Sequence, residues 1–479
     1  MHLLQRLQAC LLFEKGLIIL TGYLVLFGLL FALFLITLNL SGWEIFAPAP
    51  LYSIGMLVSV ALAVAGGNTW NLYELKAETL FVVAFGSLSF CLGACLIYGR
   101  LGLHTRSLAK RRCPVMTDGE TTVRQIQLWK FIPLIAVVLI ALVIRISETY
   151  EIAESLGVQG SYAECAAVVR KATSQTFAAD AMRFGVGFSF VERQLEKLVT
   201  AIGYVGAFLL AKALACRSNN KWEVVPSGLL LVLVGCFALS KGGRGDIIMY
   251  VIAVVSIWYF LRLRDVADVK KFTLRVILAC ALLAVLLAAT LYATGELVGR
   301  KAGSGFFEYI TFYFGGSVPS LQLLLDQGAP SVDTGVRTFY GLSNLVYKFG
   351  FIDTLPSYSI AWVDTGGHES NIFTCFARYY LDYGYAGVGV LSLLSGALMS
   401  GVYGAARRFD AAWLIAVVGM FSPYIFDMAR EEFVFSRLLS LHFPMTIALI
   451  VLLMLFVTRP FLHGSKRWIA KLLHRSEVE

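Results

Sequence analysis

The chain has 479 residues, 58% of them hydrophobic, a formal charge of +9 and a mean hydropathy of +0.74. That balance excludes a soluble globular domain and leaves a polytopic membrane protein. The basic excess does not point to nucleic acid, because the cations sit in short loops between apolar runs, as the positive-inside bias produces.

The first apolar run, LIILTGYLVLFGLLFALFLITL, is continuous, so it is a helix rather than one of the roughly 10-residue alternating strands of a barrel. It lacks an A-x-A-like cleavage site and is read as a first span, not a removable signal peptide. Spans are expected over 16–39, 49–66, 77–98, 130–147, 195–216, 225–240, 247–262, 272–293, 383–404, 411–428 and 438–458. The expected fold is a single all-α membrane domain over residues 1–479, with about 11–12 transmembrane helices.

Charge then sets the sidedness. The loop around 99–130 carries Arg100, Arg106, Lys110, Arg111, Arg112 and Arg124; the loop at 262–271 carries Arg262, Arg264, Lys270 and Lys271; the tail carries Lys466, Arg467, Lys471 and Arg475. All three are expected in the cytoplasm. The segments left outside are 148–194, 241–246, 294–382 and 429–437. Eleven spans with an inside C-terminus put the N-terminus outside, whereas Arg6 and Lys15 favour it inside. Either 49–66 does not fully cross or those early charges are outvoted. The long segment 294–382 mixes aromatic patches (FFEYITFYF, TFYGLSNLVY) with Gly, Pro and charge, and is expected to form short amphipathic or re-entrant helices at the outer interface.

The nine cysteines show no metal-type spacing, and no metal or cofactor is expected. Cys91, Cys95, Cys216, Cys236 and Cys280 read as apolar fillers. Cys165 and Cys375 both fall outside, and a disulfide between them is left open.

The chemistry is expected where arginines gather outside, since the positive-inside bias should deplete them there. In ALSKGGRGDIIMY, Lys241 and Arg244 stand among glycines just before a span. An RGD tripeptide wedged between membrane-length segments is not an integrin ligand. Guanidinium groups bind phosphate bidentately, glycines let backbone N–H groups approach an anion, and a helix N-terminus adds to the same site. The reading is a diphosphate clamp; snorkelling to lipid headgroups is the alternative. Arg430 and Arg437 lie in MAREEFVFSRLL at the mouths of the last two spans, with an ion pair to the adjoining glutamates as the alternative for Arg430. Arg300, Arg337 and Arg378 lie in 294–382, and Arg170, Arg183 and Arg193 in 148–194.

In GGHESNIFTCFARYYLDYGYAGVGVLSLL, His368 or Glu369 is a candidate general base, with Asn371 close behind. The alternative is that both cap the helix that follows. Asp382 with Gly384 reads as a structural corner. No H-E-x-x-H, G-x-S-x-G or Walker-type motif occurs, no cytoplasmic domain is present to hold a nucleotide sugar, and no acid pairs or matching halves of a transporter appear.

KGGRGDII after a span, SNIFTCFARYYLDYGYAGV closing the long outer segment, and MAREEFVFSR near the C-terminus together resemble the O-antigen polymerase (Wzy) family, over most of residues 50–460. The H-x-x-N element before a D-x-G-x-x-G corner is also similar to the O-antigen ligases, which share a glycosyltransferase C type of fold. The resemblance implies a bacterial inner-membrane enzyme with its site facing the periplasm. It implies transfer of a glycan from undecaprenyl diphosphate to the non-reducing end of a second undecaprenyl-diphosphate-linked repeat unit, without nucleotide or metal. A chain-length regulator is an implied partner. On this reading Arg244 and Arg430 hold a diphosphate, helped by Arg437, Arg378, Arg300, Arg337 and Lys241. His368 or Glu369 stands near the acceptor hydroxyl, and the rings of 306–314 and 338–347 stack on sugars. A ligase and a lipid-linked oligosaccharide flippase are the alternatives.

Overall fold

The computed structural model describes residues 2–67, 70, 72–100, 127–173, 187–215, 221–242, 244–297, 305–327, 335–353, 360, 362–365 and 368–458. In chain order the helices are α1 (His2–Leu40), α2 (Pro48–Gly66), α3 (Ala77–Arg100), α4 (Phe131–Ser155), α5 (Tyr162–Thr173), α6 (Phe190–Ala215), α7 (Lys221–Ser240) and α8 (Arg244–Arg262). They continue with α9 (Val269–Leu297), α10 (Phe306–Gly315), α11 (Ser317–Asp326), α12 (Tyr340–Lys348), α13 (Phe376–Phe409), α14 (Ala412–Asp427), α15 (Val434–Leu438) and α16 (His442–Thr458). Among the described residues nine helices are long and apolar enough to cross a membrane, and α14 and α16 are shorter apolar helices at the remaining two expected spans. The protein is an all-α polytopic membrane protein. Among the described residues the strands form a hairpin, two residues each, β1 (Val363–Asp364) and β2 (Glu369–Ser370), paired antiparallel with Val363 opposite Ser370.

Contacts at the helix ends settle how the first two spans run. The Trp43 carbonyl, in the α1–α2 turn, accepts hydrogen bonds from Tyr259 (3.1 Å) on α8 and Thr273 (2.7 Å) on α9. That turn therefore shares a face with the α8–α9 loop. At the other end Gly22 of α1 lies against Leu75 in the α2–α3 connection, and Gly66 of α2 lies against Trp70 and Thr311 of α10. Both α1 and α2 run from face to face, so the short 49–66 segment does cross. The start of α1 and the end of α16 consequently fall on opposite faces. The α10–α12 segment, the hairpin and α15 share one face, called here the site face.

Two glycines show how closely the helices approach. A methyl group at Gly93 of α3 would strike the backbone of Leu393 on α13, and one at Gly396 would strike the backbone of Phe90. Small residues permit such backbone approach where no hydrophobic force drives helices together in lipid. Tyr52 of α2 stacks on Phe90 at 4.1 Å. On the opposite face a buried ion pair joins Glu44 to Arg407 at 2.6 Å. Tyr98 (2.9 Å) and Tyr403 (2.7 Å) donate to the same carboxylate, and Arg407 lies 4.6 Å over the Phe260 ring.

The described parts of the long segment 294–382 include short helices anchored to the spans. Ser317 meets Ser59 (2.9 Å), Gln322 accepts from Thr79 (2.6 Å), and Ser320 donates to Ser370 of the hairpin (2.9 Å). The opened question of a Cys165–Cys375 disulfide is answered against it. Both thiols are free: Cys165 packs with Ala153 and Val169 under α5, whereas Cys375 precedes α13 in the main core.

Candidate functional site

A cavity of about 320 Å³ opens on the site face, a size that fits a small ligand or headgroup. Arg378, Arg430 and Arg437 all line it, together with Asn371, Trp362 and Tyr313 and the carboxylates of Asp427, Glu431 and Glu432. Local chain geometry brings these residues together. The Cys375 N–H donates to the Met428 carbonyl (3.0 Å), which fastens the start of α13, carrying Arg378, to the turn after α14, carrying Arg430. That turn is closed by the Arg430 N–H on the Asp427 carbonyl (2.8 Å).

Glu432 fixes the third arginine. Its two carboxylate oxygens accept from the backbone N–H groups of Phe435 (2.8 Å) and Ser436 (2.9 Å), the first turn of α15, and Tyr379 donates to it (3.1 Å). An acidic side chain there satisfies donors that the helix itself leaves open. Burial pushes the Glu432 carboxyl above the usual carboxylate range, against the opposing effect of those backbone bonds. Arg437, on α15, lies over the Phe433 ring at 4.4 Å and is 48% exposed.

The three guanidinium groups differ in how they are held. Arg430 is ion-paired with Asp427 and sits 4.8 Å from both the Tyr313 and the Phe314 ring of α10. The alternative of an ion pair holds in kind, but with the carboxylate three residues earlier and not with the adjoining glutamates. Arg378 reaches the Arg337 carbonyl (3.3 Å) and Glu431 (3.4 Å). Arg437 approaches the other oxygen of Glu431 at 4.0 Å, so Glu431 is shared between two arginines.

The other expected site residues lie elsewhere. Arg337 pairs with Asp382 at 3.4 Å, whose second oxygen accepts the Thr338 N–H (2.6 Å). This supports the α13 corner, where Gly384 has φ 61° and ψ −151°. Lys241 stands 3.0 Å from both Glu196 and Asp246. Burial opposes its charge, but those two carboxylates prevail and hold the ammonium above the ordinary lysine range. Helix α8 does begin at Arg244, directly after the glycines, but its side chain, like all of Arg183 and Arg300, lies outside the described residues. His368 bonds to Glu308 of α10 (2.8 Å) and meets the Phe312 ring at 4.8 Å, tilted by 37°. Glu369 is exposed on β2. Neither lines the cavity, and neither caps a helix, because α13 starts only at Phe376. Of His368, Glu369 and Asn371, Asn371 alone reaches the cavity.

Tyr313 belongs to the aromatic patch 306–314 expected to meet sugars, whereas no sequence signal marks Trp362, and for Asp427 the signal is the D-M-A-R spacing, which allows an i,i+3 pair. Among the described residues no three His, Cys, Asp or Glu side chains gather as metal ligands would. No protein-family model matches the chain, and neither a curated protein nor a solved structure matches it.

Proposed function

We propose that this protein is a metal-independent glycosyltransferase of the bacterial inner membrane that polymerises undecaprenyl-diphosphate-linked repeat units at the periplasmic face, as the O-antigen polymerases do. The observation that carries the reading is the convergence of Arg378, Arg430 and Arg437, from three separate elements, on one cavity. Arginine forks suit a diphosphate, and fixed cations aimed at a leaving group stabilise the charge it develops.

In the reaction, the acceptor sugar hydroxyl attacks the anomeric carbon of the donor glycan. The bond from that carbon to the diphosphate oxygen breaks, and lipid diphosphate leaves with the electron pair. The hydroxyl proton goes to a carboxylate. Asp427 is held by Arg430, and Glu432 spends its oxygens on α15, so Glu431, held by longer ion pairs, is the cavity carboxylate best able to change partner. The donor diphosphate takes over Arg378 and Arg437 and leaves Glu431 beside the acceptor. Trp362, exposed at the cavity, offers a ring face to a sugar.

The test is a lipopolysaccharide ladder from a strain lacking the gene, complemented with wild type, Arg378→Ala or Arg437→Ala at matched membrane levels. Wild type should restore the ladder, and each variant should leave core plus one repeat. Loss of all capped lipopolysaccharide would mark a ligase instead. Full ladders from both variants would remove the cavity from the chemistry.

A further inference from the structure

The lining of the cavity divides by origin. Among the described residues every charged side chain in it comes from α13, the end of α14 and the stretch that leads into α15. The hairpin contributes its two flanks, Ile360 and Trp362 ahead of β1 and residues 371–374 after β2, and none of these is charged. One part of the cavity is therefore built for an anion, and another for a neutral ligand.

The register of the hairpin puts two side chains of that neutral part together. Val363 stands opposite Ser370, and both are buried. One step further, at the open end, the same register sets Trp362 opposite Asn371, and both are exposed. Alternation along a strand turns such a pair to the other face, with the two Cβ atoms about 4.5–5.5 Å apart. The backbone under the pair is fixed. Thr365 closes the hairpin turn by donating its N–H (2.9 Å) and its hydroxyl (3.0 Å) to the His368 carbonyl. The Ser370 hydroxyl accepts from Ser320 of α11 (2.9 Å) and from the Ile372 N–H (3.2 Å), and the Cys375 N–H holds the far end to Met428. Among the described residues no group bonds to the Asn371 amide, which carries donors and an acceptor without a charge.

We propose that Trp362 and Asn371 form the subsite for the acceptor sugar, with the sugar ring on the indole and the amide on a hydroxyl beside the one that attacks. Asn371 is then a specificity-determining residue, because the hydroxyl it bonds decides which neighbour faces Glu431. The inference rests on the polymerase reading of the cavity and adds what the acceptor meets there. The donor sugar is bonded directly to the diphosphate and so lies against the arginines. The acceptor sugar ends its own lipid-linked unit and brings no phosphate with it, which suits a ring and a neutral amide.

The experiment uses the full chain in nanodiscs. The probe is the repeat-unit oligosaccharide released from the source strain's polysaccharide, free of lipid and diphosphate, with analogues that each lack one hydroxyl of the terminal non-reducing sugar. Saturation-transfer NMR reads binding. The wild-type chain should saturate the terminal sugar. Asn371→Ala and Trp362→Leu, both at exposed positions, should weaken binding about five- to tenfold, whereas Arg378→Ala keeps it. One deoxy analogue should bind wild type more weakly by the same factor, and Asn371→Ala should not distinguish it from the parent sugar. A variant that discriminates against that analogue as wild type does overturns the proposal. So does a wild-type chain that saturates no sugar at millimolar oligosaccharide. A chain that shows the expected pattern but makes no ladder keeps the subsite and loses the polymerase reading. One that makes a ladder but binds the sugar equally with and without Asn371 loses the subsite alone.

Discussion

Replacing Arg430 by glutamine separates its structural role from its chemical one. The Arg430 and Asp427 side chains are 16% and 8% exposed, so removing the arginine strands a buried carboxylate. Breaking a buried pair from one side costs roughly 3–5 kcal/mol, part of which here is the loss of two ring contacts. Unfolding entropy of about 2.1 cal/mol/K per residue gives about 1 kcal/mol/K over the 479 residues, so melting should fall by about 4 °C. The double variant Asp427→Asn/Arg430→Gln removes both charges and should recover most of that loss. The assay pairs melting of the full chain in detergent with the lipopolysaccharide ladder at matched membrane levels. Both variants should lack the ladder, although only the single one is unstable. A ladder restored by the double variant would show that Arg430 serves only to neutralise Asp427.

Glu431→Gln should cut polymer synthesis by roughly 10²–10⁴, the range for loss of a positioned proton acceptor, whereas His368→Ala, away from the cavity, should leave the ladder intact. A ladder lost with His368→Ala and kept with Glu431→Gln would move the base to the hairpin. On the opposite face, Glu44→Ala leaves Arg407 buried without its carboxylate and should cost about 3–5 kcal/mol, read as lower melting and lower membrane yield. Lys241 contributes stability in its charged form: its raised folded pKa keeps that contribution full below the ordinary lysine value near ~10.4 and loses it only as pH rises past that value. Melting should therefore show no Lys241-dependent change from about pH 6 to 9, while Lys241→Met lowers it throughout. Gly384→Ala forces a side chain into the φ 61° kink, at about 1–3 kcal/mol, and should disturb the ladder by shifting Arg378.

The spans were legible because a continuous apolar run of membrane length has few other solutions. Arginines at span mouths stand out in so apolar a sequence, and Arg378, Arg430 and Arg437 line one cavity. Their partners were not legible. Arg430 pairs with Asp427 rather than with the two glutamates beside it, because the turn after α14 aims its side chain back along the helix. Glu44, in the α1–α2 turn, meets Arg407 near the end of α13 only through tertiary packing, and no local pattern announces that contact. The hairpin hid the fate of His368: two residues per strand are too short for an alternating pattern to register. Lys241 looked like part of a phosphate clamp until Glu196, distant in sequence, supplied one of its two carboxylates.

The balance of charge in the cavity bears on turnover. Three arginines line it, and so do three carboxylates, of which Asp427 and Glu432 are committed to Arg430 and to α15. On the proposed reading each cycle releases a lipid diphosphate, and three arginines without a competitor would hold that product too tightly. Glu431, shared by Arg378 and Arg437, is such a competitor: it yields to the diphosphate on binding and reclaims the arginines when the product leaves. Charge-assisted bonds to both partners make the exchange nearly even in strength. A site built this way trades affinity for release, as binding that favours the transition state over either ground state requires. Glu431→Gln should then bind polyisoprenyl diphosphate more tightly than wild type while making less polymer. A variant that bound it more weakly would show that Glu431 supports the arginines instead of competing for them.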